Sequence, residues 1–223
     1  MRQAGRYMAE YRAIRAKNTL LEICSQPDLA AEVTLQPVRA LGVDAAILFA
    51  DILLPLPAMG VGLTFAAGEG PVIADPISTL ADVARLRPLE PDPLPNVSAT
   101  LRLVRQELAG RVPLIGFAGG PFTLASYLIE GGASRDYRRT KQLMYGAPET
   151  WHALMSHLAT ATTVYLQAQI RAGAEAVQLF DSWIGCLNPD DYRRYVLPYS
   201  RQVFCALYSS GVPAINFGTG TAT

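Results

Sequence analysis

Four short apolar runs, each ending in aspartate or glycine and separated from the next by helix-forming sequence, most constrain what this chain can fold into. They are residues 46–50 before Asp51, 113–118 before Gly119, 176–180 before Asp181 and 212–217 before Gly218. Runs this short and mostly apolar read as buried strands, the pattern of a parallel sheet. Residues 97–108, the stretch after Gly119-Gly120-Pro121 as far as Ile129, and residues 149–172 and 190–208 read as the intervening helices. Strands and helices in alternation require crossover connections. Polar residues or glycine at the carboxyl ends, and no Gly-x-Gly-x-x-Gly after the first run, favour a (β/α)8 TIM barrel over a doubly wound sheet. Eight strands need about 250 residues. The 223 residues here are therefore expected to form one partial barrel domain over positions 1–223, incomplete, with about strands 2–5 and their helices. The expected losses are the first strand before Met1 and roughly three βα units after Thr223. Residues 60–73 alternate like a β-hairpin, Pro27 suits a first helical turn, and Pro37 and Pro198 should kink their helices. Residues 87–95 read as a stiff proline-rich connector.

Charge narrows the function classes. Nineteen Lys and Arg balance nineteen Asp and Glu, so no basic field exists to attract nucleic acid. An acidic ligand would have to be met by a few placed arginines. No apolar run is long enough to span a bilayer, and no secretory leader is visible. No nucleic-acid or membrane partner is expected. Cys24, Cys186 and Cys205 are odd in number and widely spaced, which suits a reducing cytoplasm and small core side chains better than disulfides.

Asp51 is the first candidate for chemistry. It stands where a buried strand should end, and Ile52, Leu53, Leu54, Pro55 and Leu56 follow it. A carboxylate in such company either caps the next turn or faces a partner that offsets its desolvation. Arg2 and Arg6 flank Gly5, and two guanidinium forks could clamp a carboxylate or phosphate, or simply decorate a solvated terminus. Tyr127 lies in the helix after Gly119-Gly120-Pro121. Its hydroxyl is either tied off in the core or part of a site in which the glycines let a ligand approach the helix N-terminus. Ser182 follows Asp181 at another strand end, with no histidine nearby for a nucleophilic triad. His152 and His157 are five apart, not the i, i+4 pair of a zinc helix, and read as surface residues. No metal constellation is visible.

Four blocks carry a family resemblance: Met1-Arg-Gln-Ala-Gly-Arg-Tyr7, Phe49-Ala-Asp51-Ile-Leu, Gly116-Phe-Ala-Gly-Gly-Pro-Phe-Thr-Leu124 through Tyr127, and Gln178-Leu-Phe-Asp-Ser182. In order and approximate spacing the chain resembles the uroporphyrinogen decarboxylase family. The resemblance implies a (β/α)8 barrel, a homodimer when full length, acting without cofactor in haem biosynthesis. The implied reaction takes the four acetate carboxyls of uroporphyrinogen III off as CO2 to give coproporphyrinogen III, with related porphyrinogens as partners. Position by position, Arg2, Gln3, Ala4, Gly5 and Arg6 match the family's substrate-binding loop, with Arg2 and Arg6 joining the catalytic set. Asp51 matches its catalytic aspartate, and Tyr127 and Ser182 match residues that touch substrate side chains. Met8-Ala9 and Ala50 stand where the family often has Leu-Pro and Ser, and its late histidine would fall beyond Thr223. Two rival readings remain. One is a zinc-dependent corrinoid methyltransferase of the same superfamily, against which the run Ile215-Asn-Phe-Gly218 offers no His-x-Cys. The other is an inactive tetrapyrrole-binding fragment.

Overall fold

The computed structural model describes residues 8–66 and 70–221. Among these, six strands follow in order: β1 (Ala46–Ile47), β2 (Leu63–Ala66), β3 (Gly70–Ile73), β4 (Leu114–Gly119), β5 (Ala176–Asp181) and β6 (Ala214–Gly218). Strands β1, β4, β5 and β6 form one parallel sheet in that order, as the four apolar runs predict. Gly119 pairs with Phe180 and Asp181 with Gly218, so the carboxyl ends of three strands finish on one rim. Helices cross over between successive strands, which gives an open segment of a (β/α)8 barrel and no closed ring among the described residues. The hairpin expected over residues 60–73 is present as β2 and β3, paired antiparallel.

The first strand departs from expectation. The run 46–50 reads as one strand reaching Asp51, yet the ladder stops after Ile47, and the Leu48 N–H donates to the Ile115 carbonyl at 3.0 Å. The Phe49 N–H donates instead to Thr34 Oγ1 at 2.9 Å, which pulls the chain off the sheet. On β4, the Phe117 N–H and C=O are then met by the side-chain amide of Gln169, both at 2.8 Å. Gly116 leaves room for that amide, since a Cβ there would run into Gln169 Oε1. Side chains from two helices thus take over backbone pairing that a longer β1 would have supplied.

The helices follow local rules with two departures. Leu20–Ser25 is a helix the apolar pattern does not reveal, marked instead by a capping box between Thr19 and Glu22. Residues 190–208 are two helices, Pro189–Tyr195 and Leu197–Tyr208, with Pro198 in the first turn of the second, where its missing N–H costs nothing. Pro27 opens Pro27–Leu41, which continues as one helix through Pro37.

Among the described residues the buried core falls into three clusters. Ala46, Leu48, Leu114, Val177 and Leu179 from the sheet pack with Leu35, Leu101, Val104, Leu166 and Val203 from the helices. A second cluster centred on Phe122, Leu128, Trp151 and Leu154 holds the hairpin against the helices after β4. Its buried indole is satisfied, with Trp151 Nε1 donating to the Tyr195 carbonyl at 3.1 Å. Of the three cysteines only Cys24 is buried. Cys186 is half-buried and Cys205 exposed, so the core reading holds for one and fails for Cys205. His152 is exposed and His157 half-buried.

Candidate functional site

Asp51 lies just beyond β1, where the chain turns through residues 51–54. Its Oδ1 accepts the Leu53 N–H at 2.9 Å, so it does cap the turn. The cap does not exhaust it. The residue keeps some open surface, while protein crowding its carboxyl pushes the pKa up from the ordinary value, opposed only by the Leu53 hydrogen bond. Among the described residues no cation pairs with it. Its charge reaches three side chains. Cys24 is pushed up to about 12, by burial first and by Asp51 second, so its thiol stays neutral. Tyr127 is also raised to about 12, by burial and then by Asp51. Tyr165, fully buried with an unpartnered hydroxyl, is raised as well, by burial ahead of Cys24 and Asp51.

The helix N-terminus after Gly119-Gly120-Pro121 is not open to a ligand. Helix Pro121–Glu130 begins there, and Asp181 from the end of β5 occupies its first turn. Asp181 Oδ1 accepts both the Thr123 N–H at 3.1 Å and the Thr123 hydroxyl at 2.8 Å. The protein supplies its own anion to the helix end. Gly120 is needed for this approach, because a Cβ would stand 2.7 Å from Asp181 Oδ1. Gly120→Ala should cost about 1–3 kcal/mol of stability by overpacking. An unchanged urea midpoint would show that Asp181 can swing aside.

Tyr127 emerges from the same helix toward the rim. It is half-buried. Its ring lies 4.1 Å from that of Trp183, tilted by 34°. Tyr137 also meets Trp183, with ring centroids 5.2 Å apart. Ser182 is half-buried at the start of the loop after β5, and its carbonyl accepts the Thr219 hydroxyl. Beside it, between the turn after β5 and the end of β6, lies a cleft of about 320 Å³ lined by Ile184, Leu187, Tyr192, Asn216 and Gly218. The structure places Asp51 beyond the end of β1 and Ser182 beyond the end of β5, while Tyr127 stands on the helix after β4, with its ring against Trp183. Arg2, Gln3, Ala4, Gly5 and Arg6 lie outside the described residues. Asp181 and Trp183 are the rim residues that reading the sequence passed over. The available signal was a second aspartate ending an apolar run, as Asp51 does. Among the described residues no group of three or more His, Cys, Asp or Glu could hold a metal ion.

Fold and rim together define a (β/α)8-barrel protein with its candidate site where that class carries it, at the carboxyl ends of the strands. The chain belongs to the uroporphyrinogen decarboxylase (URO-D) family, which it matches over residues 1–223. The uroporphyrinogen decarboxylase of Carboxydothermus hydrogenoformans is 58% identical over 224 residues, covering 100% of this chain and 64% of that protein. The one from Sorangium cellulosum is 60% identical over 222 residues, covering 99% of this chain and 63% of that protein. The chain thus spans less than two thirds of the length of these relatives. Among solved structures, a methyltransferase from Methanosarcina mazei superposes with a TM-score of 0.71 at 20% identity, covering 89% of this chain and 58% of that one. At that identity the likeness shows the fold alone.

Proposed function

We propose that this chain serves the decarboxylation of the four acetate arms of uroporphyrinogen III, giving coproporphyrinogen III in porphyrin and haem biosynthesis. The observation that carries the reading is Asp51, a desolvated carboxyl at a strand end with no cation beside it among the described residues. The relatives at 58–60% identity, named uroporphyrinogen decarboxylase, support the choice of substrate.

The chemistry suits such a site. Protonating the pyrrole α-carbon next to the carbon that bears an acetate arm makes the ring a cation conjugated with that arm. The bond to the carboxyl carbon then breaks, CO2 leaves, and its electron pair flows into the ring as an exocyclic methylene. A second proton on the methylene and loss of the ring proton give the methyl group. The pyrrole is its own electron sink, so the reading requires no cofactor. A fixed negative charge in a poorly solvated pocket stabilises the cation while it forms, and this is the role proposed for Asp51, which also faces the pyrrole N–H groups. Arg2 and Arg6, with Gln3, Ala4 and Gly5 between them, are proposed to hold substrate carboxylates through bidentate guanidinium contacts. Tyr127 and Ser182 are proposed to touch the substrate's side arms. The same reading expects a homodimer in the cytoplasm. Free cysteines suit that compartment, and none of the described helices is long and apolar enough to cross a membrane.

The test is chromatography of the porphyrins recovered after incubation with uroporphyrinogen III. Successive loss of four carboxyls is the expected result, and unchanged octacarboxylate would refute the assignment. Arg6→Ala should raise KM by about tenfold, the scale of one charge-assisted contact, with a smaller effect on kcat. Unchanged KM and kcat would remove Arg6 from the clamp.

A further inference from the structure

Asp181 takes no part in the reaction described above, yet it is one of the most deeply buried charged groups in the molecule, at 1% exposure. Its Oδ1 is committed to Thr123, while Oδ2 is also buried and has no partner among the described residues. Helix capping accounts for the bond to the Thr123 N–H but not for the bond to its hydroxyl. That hydroxyl also accepts the backbone N–H of Trp183, at 3.3 Å. A hydroxyl carries one proton, so donating to Asp181 turns its lone pairs toward Trp183. The direction of this relay is therefore set by the carboxyl. At its far end the Trp183 ring meets both Tyr127 and Tyr137. Tyr137 stands at φ 53°, in the left-handed region that side chains seldom adopt, and its N–H donates to Ser134 Oγ at 3.1 Å. Three half-exposed aromatic rings are thus built into the rim, and two of them depend on loops pinned by polar side chains.

We propose that Asp181 is a positioning residue: through the Thr123 hydroxyl it fixes Trp183 against Tyr127, so that the aromatic group presents a set surface to a pyrrole ring of the substrate. The first part stands on the hydrogen bonds and ring contacts alone, and the second rests on the decarboxylase reading. Thr123→Val removes the hydroxyl and keeps the shape. Thr123→Ser restores the hydroxyl. Asp181→Asn keeps an acceptor for Thr123, and Asp181→Ala does not.

Trp183 reports directly. The chain has two tryptophans, and subtracting the emission of Trp183→Phe isolates its signal. We expect acrylamide quenching of Trp183 to rise by about twofold in Thr123→Val and Asp181→Ala, on the loss of a hydrogen bond that orders the loop, and to stay near wild type in Thr123→Ser and Asp181→Asn. With uroporphyrinogen, Thr123→Val should raise KM about fivefold and leave kcat within about twofold, with Thr123→Ser restoring KM. Unchanged Trp183 quenching in Thr123→Val, with far-UV circular dichroism as in wild type, overturns the proposal even if Asp181→Ala fails to fold. Altered quenching with an unchanged KM overturns the substrate-facing half. Altered quenching in a wild-type background that never consumes uroporphyrinogen supports the positioning role and refutes the decarboxylase reading.

Discussion

Asp51→Asn should lower turnover of uroporphyrinogen by about two orders of magnitude, the scale of roughly 3 kcal/mol that one preorganised electrostatic contact contributes to a transition state. The substitution is nearly isosteric, and the amide oxygen can still accept the Leu53 N–H that Oδ1 accepts at 2.9 Å. The turn therefore survives, and what disappears is the charge. Folding stability should not fall, because the variant no longer desolvates an anion. A pH series separates this effect from simple damage. Burial raises the Asp51 pKa above its ordinary value of 3.8, with the Leu53 hydrogen bond only partly opposing it. The active form is the ionised one, so wild-type kcat should fall as pH drops through that raised value. The asparagine variant should show no such limb. Near-native kcat in the variant, or an acid limb that persists in it, would take Asp51 out of the mechanism.

Stability itself should depend on pH through the other rim aspartate. Burial pushes Asp181 from its ordinary 3.8 up to about 6, against the lowering effect of its two hydrogen bonds from Thr123. A carboxyl whose folded value lies above its unfolded value favours folding in its protonated form. That contribution is complete below about pH 4 and lost as pH rises through about 6. Its full size, from the two values, is about 3 kcal/mol. Asn cannot titrate. The unfolding free energy of wild type minus that of Asp181→Asn should therefore fall by about 3 kcal/mol between about pH 4 and pH 7. Urea denaturation at several pH values measures it, and a difference that stays constant would show that Asp181 does not titrate in this window. Activity and stability thus depend on different aspartates, and with opposite sign: ionisation of Asp51 supports catalysis, while ionisation of Asp181 weakens the fold.

How legible this was in the sequence varies from element to element. The strands β4, β5 and β6 were visible because each is a short, mostly apolar run flanked by turn residues, although only β4 is buried along nearly its whole length, β5 alternates between buried and half-buried positions, and β6 is largely exposed. The hairpin was visible because its residues alternate. The first strand was overestimated, since nothing between residues 46 and 50 reveals that Thr34, fifteen positions before Phe49, takes the Phe49 N–H. Helix Leu20–Ser25 was missed because a six-residue helix leaves too little periodicity to read, although its capping box was there in Thr19 and Glu22. In the site, Asp51 stood out by its apolar surroundings. Trp183 did not, because its role comes from rings more than forty positions away.

Residue order alone determined the alternation of strand and helix, the parallel sheet and the rim on which polar residues collect, because burial pattern and turn chemistry are local and survive in one dimension. Only the folded chain decided which anion faces what. Asp51 and Asp181 both end apolar runs and look alike as text. Asp181 is closed off by Thr123 and the backbone of Gly120, whereas Asp51 keeps an open side beside Tyr127. The difference lies in solvation and in hydrogen-bond donors that arrive from distant segments, and those exist only in three dimensions.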